Sequence, residues 1–199
     1  MTRRLIVLVV LAVTACAGAP PPPDTFYRIE PAETVPRFAA PPLPGVIEVE
    51  RLAADGAVAE RALAFARGDG GPLAHYKYDF WSEAPGLMLQ DRLARALTRA
   101  GAADRVVTPD LRVLSDWTVR GKIRRFEQLA GVGMVAVDIQ LAVVGSRTGE
   151  LVLHESYSAQ VPTASDKVEA AAHAMERGVS EIFGRFLADL GRVRARSDK

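Results

Sequence analysis

Cysteine occurs once in these 199 residues, at position 16, so no intrachain disulfide can form and the fold must stand on its core alone. Neither sign of charge is in excess, with 25 Lys and Arg against 24 Asp and Glu. That balance gives no electrostatic footing for a nucleic-acid partner. Histidine is scarce, and His75, His154 and His173 stand too far apart in sequence to compose a recognisable metal motif. H-E-x-x-H and G-x-S-x-G do not occur, which removes two common routes to hydrolysis. The expectation is a protein that is not an enzyme and holds no metal or dissociable cofactor. Long apolar runs are missing as well: Leu5 to Val13 is too short to span a bilayer as a helix.

That short run has a different use. Arg3 and Arg4 precede it, giving the basic n-region and apolar h-region of a secretory signal over residues 1–15. Val13-Thr14-Ala15-Cys16 resembles a bacterial lipobox, in which the thiol accepts diacylglycerol, the chain is cut before the cysteine, and the new amine is acylated by a chain such as palmitate. Cys16 is therefore the expected lipidation site, and the covalent lipid is the only non-protein group expected. Each buried methylene contributes about 0.8 kcal/mol, so two or three acyl chains anchor durably where one does not. Ala17 follows the cysteine, where aspartate commonly retains such proteins at the inner membrane. The expected destination is thus the periplasmic leaflet of the outer membrane of a Gram-negative bacterium. An ordinary signal peptide or a short uncleaved anchor is the alternative.

Residues 16–45 read as a tether. Pro20 to Pro23 favour extended polyproline II, and Pro31, Pro36, Pro41, Pro42 and Pro44 keep the following stretch irregular. Phe26 to Ile29, aromatic and branched, can dock as a short edge strand near 26–29. One compact domain is expected over 46–191, followed by a basic flexible tail at 192–199 with Arg192, Arg194, Arg196 and Lys199.

Within the domain the periodicities predict an α+β fold in the order β-β-β-α-(β)-β-β-β-α, an antiparallel or mixed sheet of about six strands carrying two main helices. Val46 to Leu52, Arg61 to Arg67 and Leu73 to Phe80 are the first strands. A helix begins near Ser82 or Glu83 with Pro85 in its first turn. It buries Leu89, Leu93, Ala96, Leu97 and Ala100, turns Asp91, Arg92, Arg95 and Arg99 to solvent, and stops at Gly101. Trp117 to Arg124, Val135 to Val143 and Leu151 to Val161 alternate apolar and polar residues as half-buried antiparallel strands. A long helix, capped from Ser165 or Asp166, carries an apolar stripe from Val168 through Met175, Val179, Ile182, Phe183 and Phe186 to Leu190.

Tyr76, Tyr78, Phe80 and Trp81 crowd one strand and its exit, and they are the candidate partner or lipid contact. Core packing is the competing account, because strict alternation puts Tyr76, Tyr78 and Phe80 on one face and Trp81 on the other.

Taken in order, the lipobox, the strand Phe26 to Ile29, Ile47-Glu48-Val49, Tyr76 to Trp81, Gly121 to Phe126 with its Gly-x-x-x-x-Phe spacing, and Thr148-Gly149-Glu150-Leu151 resemble the ABC-type transport auxiliary lipoproteins, the PqiC-like group. The resemblance implies a non-catalytic accessory of a lipid transport system linking inner and outer membranes. Its implied partner is a periplasmic protein of the mammalian-cell-entry (MCE) type and, through it, an ABC permease and ATPase, with membrane lipid nearby and self-association into a homo-oligomer compatible with the same picture. A structural or assembly lipoprotein of the envelope, pilotin-like and without a part in lipid transfer, is the alternative.

Overall fold

The computed structural model describes residues 20–30 and 37–197; the signal segment, Cys16, Pro31 and Pro36 lie outside the described residues. The chain runs β1 (Thr25–Tyr27), β2 (Val46–Val49), β3 (Ala53–Ala54), β4 (Ala62–Arg67), β5 (Leu73–Trp81), α1 (Pro85–Ala100), β6 (Arg105–Val107), β7 (Trp117–Ala130), β8 (Met134–Gly145), β9 (Leu151–Pro162) and α2 (Val168–Ser197). The fold class is the expected α+β. The sheet is mixed and has nine strands among the described residues, the additions being pieces too short to show a period of their own.

β7 is the strand on which the others depend. Along one edge it pairs antiparallel with β8 from Trp117 opposite Gly145 to Leu129 opposite Met134, and β8 pairs antiparallel with β9. Its other edge is shared, in series, by three parallel strands: β2 meets it at Trp117 to Val119, β3 at Lys122 and Ile123, and β4 at Glu127 to Ala130. From this edge two arms extend. β6 lies parallel on β2, while β5 lies antiparallel on β4 and β1 parallel on β5.

Pairing slips by one residue between Ile123 and Arg125, a bulge that turns the alternation over. Val119 and Ile123 are buried before it, Phe126 and Gln128 after it, so Gly121 and Phe126 share the core face although five positions apart. At Gly121 a Cβ atom would sit 2.7 Å from Leu141 Cδ2 and 2.8 Å from the Gln140 carbonyl oxygen; the close approach of β8 and Leu52 requires glycine there.

Helix α1 opens at Pro85, whose missing N–H is harmless in the first turn. The N-cap position is Ala84, without a side-chain hydrogen bond, so neither Ser82 nor Glu83 caps it. Gly101, at φ 66°, ends the helix by donating its N–H to the carbonyls of Leu97 and Thr98. Leu89, Leu93, Ala96, Leu97 and Ala100 are buried as the spacing predicts. Gln90 is buried too, its amide donating to the Val49 carbonyl at 2.8 Å and so riveting α1 to β2. In α2, Ala171, Ala172, Met175, Val179, Ile182, Phe183, Phe186, Leu187 and Leu190 are buried, in one core shared with α1 and the inner sheet face. This helix runs on to Ser197, past residue 191 where a flexible tail is expected. The sheet likewise begins upstream of residue 46, since β1 is one of its members.

Two glycines give opposite expectations. Gly121→Ala should destabilise by about 1–3 kcal/mol, the usual cost of overpacking a filled core. Gly184→Ala, on the exposed side of α2 with open space where its Cβ would go, should stabilise by up to about 1 kcal/mol. Denaturant midpoints at matched slopes measure both.

Candidate functional site

The aromatic residues of β5 divide between the two faces of the sheet. Trp81 is only 1% exposed and packs its ring 5.0 Å from that of Phe126, so it belongs to the core and not to a contact surface. Tyr76 also reaches inward. Its ring lies 4.7 Å from Phe65, and its hydroxyl donates to Oε1 of buried Gln128 at 2.8 Å. Strict alternation separates these two residues; the structure unites them because the β4–β5 register shifts between the pairs Ala62 with Phe80 and Ala64 with His75. Phe80 faces the other way, its ring 5.7 Å from Phe26, which is 56% exposed. Tyr78 is half-buried with the Lys77 ammonium 5.1 Å over its ring. The four aromatics therefore do not form one surface, and Phe80 with Phe26 is the part that solvent can reach.

Phe26, a residue that the sequence reading assigns only to a docking strand, also borders a groove. About 710 Å³ in volume, it is lined by Phe26, Tyr27 and Arg28 of the first strand and its exit, by Arg61 and Ser82, and by Ala172 and His173 of α2. Arg61 lies 5.5 Å over the Phe26 ring and donates to the Trp81 carbonyl at 3.3 Å. The groove combines cations with an apolar wall.

Two phenols close the ends of this architecture. Tyr27 donates to Asp79 Oδ1 at 3.0 Å, and partial burial together with that carboxylate pushes its pKa up to about 12. Tyr157 donates to Asp189 Oδ2 at 2.9 Å, with burial and then Asp189 pushing its phenol up as well. The first bond ties β1 to β5, the second ties β9 to α2. Among the described residues no three His, Cys, Asp or Glu side chains are grouped to hold a metal ion, and no helix is long and apolar enough to cross a membrane. The local chemistry is that of hydrogen-bonded ties and an open cationic groove.

Trp81→Ala should cost about 3–5 kcal/mol, as for a large aromatic removed from a filled core, read from the denaturation midpoint. A second expectation concerns alkali. The Tyr27 phenol is held above its ordinary value of 10.0, so its contribution is whole below pH 10 and is lost as pH rises from there through about 12. In Tyr27→Phe the loss of stability over that window should be shallower than in the wild type, measured as melting temperature against pH.

Comparison with known proteins then places the chain. The model of the ABC-type transport auxiliary lipoprotein component family matches residues 27–185. A crystal structure of a protein from Xanthomonas campestris is similar over 87% of this chain and 98% of its own, with 20% identity and a TM-score of 0.73. A hypothetical protein from Chlamydia trachomatis is similar over 76% of this chain and 98% of its own, with 11% identity and a TM-score of 0.51. At such identities these two likenesses concern the fold alone. Among curated proteins no relative matches.

Proposed function

The chain belongs to the family of ABC-type transport auxiliary lipoprotein components, and from that premise we propose that it is a non-catalytic, periplasm-facing subunit of an MCE-type lipid transport system. Acyl chains on Cys16 hold it in the periplasmic leaflet of the outer membrane, and the folded part meets the MCE protein that the permease and ATPase drive from the inner membrane. The observation that carries this reading is the family match, which spans the folded region from β1 into α2.

The fold suits a tethered adaptor. β1, the strand directly behind Pro20 to Pro23, is hydrogen-bonded into the sheet, so a lipid attached upstream is coupled to the domain and not to a loose end. The site chemistry is equally consistent with an accessory part, since the aromatic and tyrosine contacts of β5 and β1 build the sheet.

The test begins with the anchor. Wild-type protein should fractionate with the outer membrane and carry acyl chains on Cys16 by mass spectrometry of the mature N-terminus. Cys16→Ser should leave the unlipidated protein in the periplasm or as an unprocessed precursor, because the chain has no second thiol. Detergent copurification of the MCE-type protein with the lipidated wild type is the functional arm. A mature N-terminus elsewhere, or no MCE protein in the purified material, sinks the proposal.

A further inference from the structure

The connection between β6 and β7 exposes an apolar cluster that no described part of the chain covers. Leu111 is 63% exposed, Val113 46% and Leu114 95%, three large aliphatic side chains within four residues. Arg112 between them is held at φ 51°, a left-handed conformation that a residue with a Cβ adopts reluctantly. The loop is nevertheless well braced at its return to the sheet. Asp116 accepts the Val46 N–H at 3.0 Å and a 2.7 Å contact from Arg147, while Ser115 Oγ lies 2.9 Å from Ser146 Oγ. Bracing of this kind keeps the side chains beyond it presented and prevents them from collapsing onto the body.

The β8–β9 turn adds to the same region. Pairing slips between Val143 with Leu153 and Val144 with Leu151, and Leu151 is left 58% exposed. Leu151 stands at the level where the loop rejoins the sheet, because Val144 pairs both with Leu151 and with Thr118, the second residue of β7. Grouped exposed aliphatics are uncommon on a soluble domain and mark a contact surface.

Strand directions say what that surface meets. β4 is parallel to β7, β5 antiparallel to β4, and β1 parallel to β5. β1 therefore runs opposite to β7, and the tether enters from the end at which β7 finishes. The apolar loop joins the end at which β7 begins. Through β5 and β4, Thr25 stands at about the level of Phe126, so roughly 30 Å of β7, at about 3.3 Å per residue, lies between the point where the tether enters and the start of that strand. Cys16 to Thr25 spans at most about 30 Å of chain, and the proline run at 20–23 favours an extended path over one doubled back along the domain. The loop thus points away from the leaflet that anchors the lipid. Charge does not favour a bilayer either, since Arg105, Arg112 and Arg147 are matched locally by Asp104, Asp110 and Asp116.

We infer that Leu111, Val113 and Leu114, with Leu151 at the same end of the sheet, are the docking element for a protein partner that approaches from the side opposite the anchoring membrane and offers an apolar groove to receive them. This inference rests on the proposed accessory role and adds to it the surface through which the MCE-type protein is engaged.

The test uses the full lipoprotein in detergent and the purified MCE-type periplasmic protein of the same bacterium. The double variant Leu111→Ser/Leu114→Ser should keep its melting temperature and bind at least tenfold more weakly, while Val132→Ser at the tethered end should bind as the wild type does. A benzophenone amino acid at position 114 of the otherwise intact chain should crosslink to the MCE-type protein on illumination. If the wild type binds and the double variant binds equally well, this surface is wrong and the accessory role stands. Failure of the wild type to bind removes both. Dissociation of a homo-oligomer by the double substitution, seen by light scattering, would assign the loop to a second copy. Loss of flotation with phosphatidylethanolamine–phosphatidylglycerol vesicles, with MCE binding intact, would assign it to lipid; either result overturns the inference.

Discussion

β7 has to satisfy two edges at once. On one side a single long strand accompanies it throughout, while on the other three short strands take turns, and the chain must leave and rejoin that edge twice. Each return requires the incoming strand to find its level on β7 and to point its buried residues at the same core. The bulge after Ile123 makes this workable by changing which residues face inward between the level of β2 and β3 and the level of β4. Gly121 allows β8 and Leu52 to close over the first half, and Phe126 fills the second half against Trp81. The Gly-x-x-x-x-Phe spacing in the sequence is the trace of this arrangement: an odd separation that puts both residues on one face only when an extra residue lies between them.

The same devices decide what could be read from the sequence. Elements with enough length to display a period were legible: both helices, their buried stripes, the Gly101 stop and the three long strands. The pieces that complete the sheet were not, because β3 has two residues and β6 three, too few for any pattern. Side-chain direction failed wherever a bulge intervened. Strict alternation sets Trp81 on the face opposite Tyr76, yet both reach inward; it gives Leu151 the apolar face of its strand, yet Leu151 lies open. Both errors come from extending a period of two across a register shift that leaves no mark in residue types. Buried Gln90 and Gln128 were equally invisible, since their partners, the Val49 carbonyl and the Tyr76 hydroxyl, are 41 and 52 positions away.

Cys16 belongs to the opposite category. The lipobox is a local signal, read by position and small neighbours, and needs no fold to interpret it. The proposed tether at Cys16 is thus the most legible functional feature of the chain. Any surface that meets a partner is the least legible, because exposure is a property of the finished fold. Nothing in the residue types of Leu111, Val113 and Leu114 marks them as exposed; the fold leaves them open, with Asp116 bound back to Val46.

A domain anchored through Cys16, as proposed, and without disulfides must also withstand load arriving through its linker. That load enters β1, a three-residue strand that would be easily removed if its bonds were broken one at a time. The topology opposes this sequence of events. Because the linker enters along the strand axis and β1 lies parallel to β5, a pull toward the membrane shears the β1–β5 contacts together instead of opening them from one end. The Tyr27 to Asp79 bond, the Phe26 to Phe80 ring contact and the burial of Ile29 at 1% exposure then act in parallel with the backbone bonds. Load passes from β5 through β4 to β7, so it is borne by the strand that already organises the fold.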